Sequence, residues 1–116
     1  MTGDDLSQGP ADLGAEGTID PADERLVFTE DPLSRHKIDA VRPFNQAASD
    51  SGGQPIRIVV CNDGSKYIKQ GNHRLYAARL DGLRAVNALI YTPEQWDASF
   101  EMSFDGRGNN NPGIDP

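Results

Sequence analysis

Residues 56–82 admit few folds. A β-branched run, Ile56-Arg57-Ile58-Val59-Val60-Cys61, is cut by Asn62-Asp63-Gly64 and resumes from Ser65 to Gln70. Asp-Gly between two such runs favours a tight hairpin, because glycine accepts the positive φ that the turn requires. The second strand ends at Gly71, and a short helix from Asn72 to Asp81 follows. Asn72 is a good N-cap for it, and Gly82-Leu83 fits a left-handed C-terminal cap with Leu83 folding back on Ala78.

The chemistry concentrates where strand becomes helix. The first turn of a helix leaves backbone N–H groups without intrahelical partners, and the macrodipole places partial positive charge there. Asn72, His73 and Arg74 stand at that turn, directly after a glycine that lets another group approach closely. Together they form a natural seat for phosphate. A cation in a first turn opposes the dipole by roughly 0.3–1 kcal/mol, so an anionic ligand explains Arg74 better than a solvated turn does. His73 titrates near neutral pH and is a candidate for proton transfer. Asn72 is accounted for either as the cap or as a phosphate contact.

The formal charge of −7 would argue against a phosphate-bearing partner, but the charge is unevenly spread. Residues 1–24 carry seven acids and no base, and residues 97–116 carry four acids against Arg107. Between them, residues 25–96 hold ten Lys and Arg against seven Asp and Glu. The middle is therefore mildly basic. The acidic N-terminal stretch either serves solubility or folds over the basic patch as a nucleic-acid mimic.

A single cysteine, Cys61, allows no internal disulfide and no cysteine-based metal site, so a reducing compartment is the default expectation. His36 and His73 lack metal-ligand spacing, and no metal site is expected. No run approaches the ~20 apolar residues of a membrane span, and no basic-then-apolar signal precedes the domain. The expectation is a protein without a membrane partner, cytoplasmic or secreted as part of a larger protein.

Composition divides the chain into an unstructured acidic segment (1–24), a folded domain (25–98) and a flexible tail (99–116). Leu26-Val27-Phe28 is expected as the first strand, with Asp31-Pro32-Leu33-Ser34-Arg35 as a turn. Ile38, Val41, Phe44, Ala47 and Ala48 recur at helical spacing, with Pro43 at the first position of a new helix and Ser51-Gly52-Gly53 ending it. Val86 to Tyr91 is a strand. Thr92-Pro93-Glu94-Gln95 opens a last helix, with Thr92 and Gln95 forming a capping box. Arg79 and Arg84 are expected on a solvent face, Trp96 and Tyr91 in the core, and Cys61 as a small buried hydrophobe. The class is α+β, a small mixed β-sheet with packed helices.

These landmarks in order resemble the ParB/sulfiredoxin superfamily: Gln54-Pro55-Ile56 leading into a hairpin, the hairpin ending in Gly71-Asn72-His73-Arg74, and Gly82-Leu83 before a strand. Asp31-Pro32-Leu33-Ser34-Arg35 is similar to the Asn-Pro-x-x-Pro-Arg box of ParB-like domains, with Asp for Asn and Ser for the second Pro. The resemblance covers about residues 25–96. It implies that Gly71, Asn72, His73 and Arg74 bind phosphate, with Arg35 as a second cation. ATP or CTP, with Mg²⁺, is the cofactor class it implies. Sulfiredoxins place their reactive cysteine immediately before His-Arg, where this chain has Asn72, so sulfinic-acid reduction is not expected.

Two functions follow. In the first, the domain is a nuclease or nucleotide hydrolase, with Arg74 stabilising charge on phosphoryl oxygens and His73 as acid or base. It would then be polymorphic-toxin cargo with a cognate immunity protein as partner. In the second, it is a non-catalytic nucleotide switch or nucleic-acid-binding module of a plasmid or phage regulator.

Overall fold

The computed structural model describes residues 12–51, 54–100 and 103–116. Its elements are β1 (Ala15–Ile19), β2 (Leu26–Phe28), β3 (Leu33–Ser34), α1 (Arg35–Ala40), α2 (Gln46–Ser51), β4 (Arg57–Val60), β5 (Lys66–Gln70), α3 (Asn72–Leu80), β6 (Val86–Tyr91), α4 (Pro93–Phe100) and β7 (Ile114–Asp115). Five strands form one mixed sheet in the order β1-β6-β4-β5-β2. The β4–β5 hairpin is antiparallel and turns through Gly64 at φ 92°, while β4–β6 and β2–β5 run parallel and β1–β6 antiparallel. This is the α+β class expected, a mixed sheet carrying four helices among the described residues.

Strand alternation divides the core between the two faces of the sheet. Ile58 and Ile68 point to one face and pack with Leu75, Ala77 and Ala78 of α3, Ile38 of α1, and Leu26 and Phe28. Val59 and Tyr91 point to the other, where Trp96 of α4 completes a smaller aromatic cluster, partly lined by Cys61, Tyr67 and Phe100. Tyr91 meets Trp96 edge-on at 5.3 Å between ring centroids, a favoured aromatic geometry.

Several local expectations hold. Gly82 takes φ 78°, and Leu83 donates its N–H to Ala78 O at 3.1 Å, closing the C-terminal cap of α3. Thr92 N donates to Gln95 Oε1 (2.9 Å) and Gln95 N to Thr92 Oγ1 (3.1 Å), the reciprocal pair that starts α4.

Other expectations are corrected. Part of the acidic segment is ordered: Ala15–Ile19 adds to the sheet along β6, from Ala15 opposite Ile90 to Ile19 opposite Val86. Backbone pairing and one buried anchor, Ile19, hold it. Residues 1–11 lie outside the described residues. The described part of the tail, residues 103–116, is ordered too. Asn109 exchanges backbone hydrogen bonds with Phe28, Ile114 pairs with Leu33, and the Asp31 carboxylate accepts from Asn109 Nδ2 and Gly113 N. Pro43 lies in the turn between α1 and α2 and does not open a helix. Asn45 caps α2 instead, its Oδ1 accepting at 3.0 Å from Ala48 N, a first-turn N–H with no intrahelical partner. The Gly52-Gly53 stop lies outside the described residues. Arg79 is not on a solvent face: its guanidinium lies 5.0 Å over the Phe28 ring and donates to Pro21 O at 2.7 Å.

The connection from β1 to β2 runs from one edge of the sheet to the other. It is tied at Asp20 to Arg84, at Pro21 O to Arg79, and at Asp23 to Lys66. No helix among the described residues is long and apolar enough to cross a membrane.

Candidate functional site

The turn into α3 is built differently from the sequence expectation, although the same residues make it. Gly71, not Asn72, is the N-cap, in the left-handed region at φ 102° and ψ 25°, and Asn72 is the first helical residue. A Cβ on Gly71 would stand 2.8 Å from Ile56 Cγ1, so the close approach that this glycine permits is to the core side chain of Ile56.

Asn72 turns inward and is only 5% exposed. Its Oδ1 accepts from Thr29 N at 2.9 Å, and its Nδ2 donates to Thr29 Oγ1 at 3.1 Å. A buried amide in this position ties the end of β2 to the start of α3, and capping is not its role.

His73 and Arg74 diverge, as adjacent helical residues do. His73 Nε2 accepts from the backbone N–H of Ser34 at 3.0 Å, which puts its ring proton on Nδ1. Burial, joined by nearby Lys37 and opposed by Glu30, pushes its pKa below the ordinary value. His73 is thereby held neutral and fixed against the β3–α1 junction. Arg35 is the residue after Ser34, exposed at the start of α1, so the structure brings Arg35 to the His73 side of the turn.

Arg74 goes the other way. Its Nη1 donates to Ser49 Oγ at 2.9 Å, and it lines a cleft of about 240 Å³ with Val41, Arg42, Pro43, Asn45 and Ser49. Arg42 forms an ion pair with Asp81 at 2.8 Å, and Asp81 also accepts from Phe44 N at 2.7 Å. Hydrogen bonds from Phe44 N and Arg42 hold the Asp81 carboxyl below its usual range and fix the cleft wall to the end of α3. The cleft joins two guanidinium groups, a hydroxyl and an amide beside the first turn of a helix. Such a set binds anionic oxygens through charge-assisted hydrogen bonds.

The five residues expected at the site therefore separate. Gly71 and Asn72 shape the turn, His73 and Arg35 lie on its β3–α1 side, and Arg74 faces α2. Arg42, Asn45 and Ser49 were not expected. They converge only because the α1–α2 connection folds back on α3, and nothing in their local sequence signals it. Among the described residues, no three His, Cys, Asp or Glu side chains are grouped so as to hold a metal ion. Burial, with Asp63 and Glu94 nearby, raises the Cys61 thiol pKa, which keeps it protonated. Comparison with family models, with curated proteins and with solved structures finds no match to this chain.

Proposed function

We propose that the domain is a binding module for a phosphate-bearing ligand, a nucleotide or the backbone of a nucleic acid, seated in the cleft beside the first turn of α3. The observation that carries this reading is the half-buried Arg74, held on Ser49 within a cleft that Arg42 also lines. A volume of about 240 Å³ is below the ~300–1,000 Å³ of sites that enclose a drug-sized ligand, so it suits a phosphate chain with the base or sugar left outside. The order of hairpin, Gly71-Asn72-His73-Arg74 turn, helix and strand supports kinship with ParB-like domains, in which that turn binds CTP or ATP phosphates. Engagement of His73 with Ser34 favours the binding module over the nuclease or hydrolase of a toxin.

The test is thermal unfolding of the full chain with ATP, CTP, RNA or plasmid DNA, with and without Mg²⁺, alongside Arg74→Ala. A ligand at 100 times its Kd stabilises by about 2.7 kcal/mol, a shift of several degrees. The expected result is such a shift for the wild type and none for Arg74→Ala. No shift with any of these ligands sinks the proposal. Cleaved product from the wild type alone would replace the binding module with the enzyme.

A further inference from the structure

On the face of the sheet opposite α3, a second polar site is filled by the chain itself. Arg57 of β4 donates through Nε to Tyr91 Oη (3.0 Å), through Nη1 to Gln70 Oε1 (2.5 Å) and through Nη2 to Asp12 Oδ2 (3.1 Å). Tyr91 Oη donates to Asp12 Oδ1 at 2.6 Å, so the Asp12 carboxylate is gripped by both groups. Burial, reinforced by this bond to Asp12, pushes the Tyr91 pKa up to about 12.

The receptor and its occupant are held unequally. The Arg57 side chain is 17% exposed, stacks at 5.4 Å over Phe100, and is fixed by Gln70 and Tyr91 without help from Asp12. Tyr91 is fully buried in the aromatic cluster. The Asp12 side chain is 38% exposed. It belongs to a segment whose backbone continues into β1, a strand with one buried residue, Ile19, whose main packing partner is β6; between Asp12 and β1, Leu13 N donates to Ser99 Oγ at 2.8 Å. Gly14 lies flush on the Tyr91 ring, where an added Cβ would come within 2.6 Å of Cζ. Residues 12–19 thus act as an added strand: backbone pairing along β6, a glycine over Tyr91, and a carboxylate at the end.

We propose that Arg57, Tyr91 and the edge of β6 form a preformed docking site for an extended acidic peptide, in which residues 12–19 are the resident, displaceable occupant. The partner is a polypeptide segment with an Asp-x-Gly pattern ahead of a strand. When β1 lifts away, β6 becomes an open edge and Arg57 loses the carboxylate that pairs with it. Both are unfavourable and both are relieved by an incoming strand of that kind. This site lies apart from the Arg74 cleft and stands independently of the function proposed for it.

The experiment uses the full-length chain and a fluorescent peptide, Asp-Leu-Gly-Ala-Glu-Gly-Thr-Ile, equivalent to residues 12–19. The double variant Asp12→Asn, Gly14→Ala weakens the resident strand and leaves the receptor unaltered. The expected result is saturable binding at least tenfold tighter to the double variant than to the wild type. That binding is lost when the peptide's Asp is replaced by Asn or its first Gly by Ala. Hydrogen exchange on the wild type gives a second reading that needs no variant: excess peptide speeds exchange of the amides of residues 15–19 and of no other strand. Absence of both effects overturns the proposal. So does binding indifferent to the peptide's Asp, or full competition by inorganic phosphate at equal concentration, which would leave a simple anion site.

Discussion

Asn72 and His73 show how one side chain can be claimed by the fold or by a ligand. Asn72 spends its amide on Thr29 and is buried, so Asn72→Ala leaves Thr29 N–H without a partner. The expected cost is about 1–3 kcal/mol in urea denaturation. His73 carries a pH signature. Its folded pKa lies below the ordinary 6.5, so the unfolded chain takes up the proton first. The stability it contributes is complete above about pH 6.5 and is lost as pH falls through the folded value. Stability of the wild type should therefore drop between pH 7.5 and 5, and His73→Gln should flatten that drop. An NMR titration that places the His73 midpoint at or above 6.5 would refute this account. The sequence singled out both residues; Asn72 is not the cap it was expected to be, and the partner each holds was not visible in the sequence. Position in a first turn is a local property, whereas the partners Thr29 and Ser34 come from elements about forty residues away.

At the scale of elements, glycines separate two kinds of turn. Gly71 combines a left-handed backbone with a side chain in the way, Ile56 Cγ1 at 2.8 Å from its would-be Cβ. Gly82 has the same handedness at φ 78° and open space around it. Backbone strain of about 1–3 kcal/mol applies to alanine at either position. Gly71→Ala should therefore unfold at lower urea than Gly82→Ala, the difference reporting the clash with Ile56. Elements that carry their own stop and start signals were legible: the Asp63-Gly64 hairpin, the Gly82-Leu83 cap and the Thr92-Gln95 box. Elements made by distant pairing were not. Ala15–Ile19 has only Ile19 to bury, and Ile114–Asp115 has two residues. Their strand character comes from β6 and β3, which their own residues do not announce. Of the candidate site, the turn was legible and the α2 wall was not, because Asn45 and Ser49 reach Arg74 only through the fold.

At the scale of the molecule, the uneven charge has a structural counterpart. Four of the five ion pairs among the described residues join an acid of a flank to a base of the middle: Asp12–Arg57, Asp20–Arg84, Asp23–Lys66 and Asp105–Lys69. Hydrogen bonding from Lys66 holds the Asp23 carboxyl below its ordinary 3.8. The stability this pair contributes is present above pH 3.8 and lost as pH falls through the folded value. Lys66→Met should lower stability at pH 7, and the two proteins should converge as pH falls through the folded Asp23 value. Pairs this near the surface are worth about 0–1 kcal/mol each, and the gap between the two proteins should narrow in 0.5 M NaCl. The sheet order has a consequence of another kind. Consecutive strands β1 and β2 occupy opposite edges, and each waits for a neighbour made later in synthesis, β6 for one and β5 for the other. A nascent chain leaving the ribosome cannot seat residues 15–28 in the sheet until β5 and β6 have emerged, and the segment that braces β2 and β3 follows those strands in turn. Assembly must therefore close from the centre outward, with β1, β2 and β7 docking after the hairpin and α3.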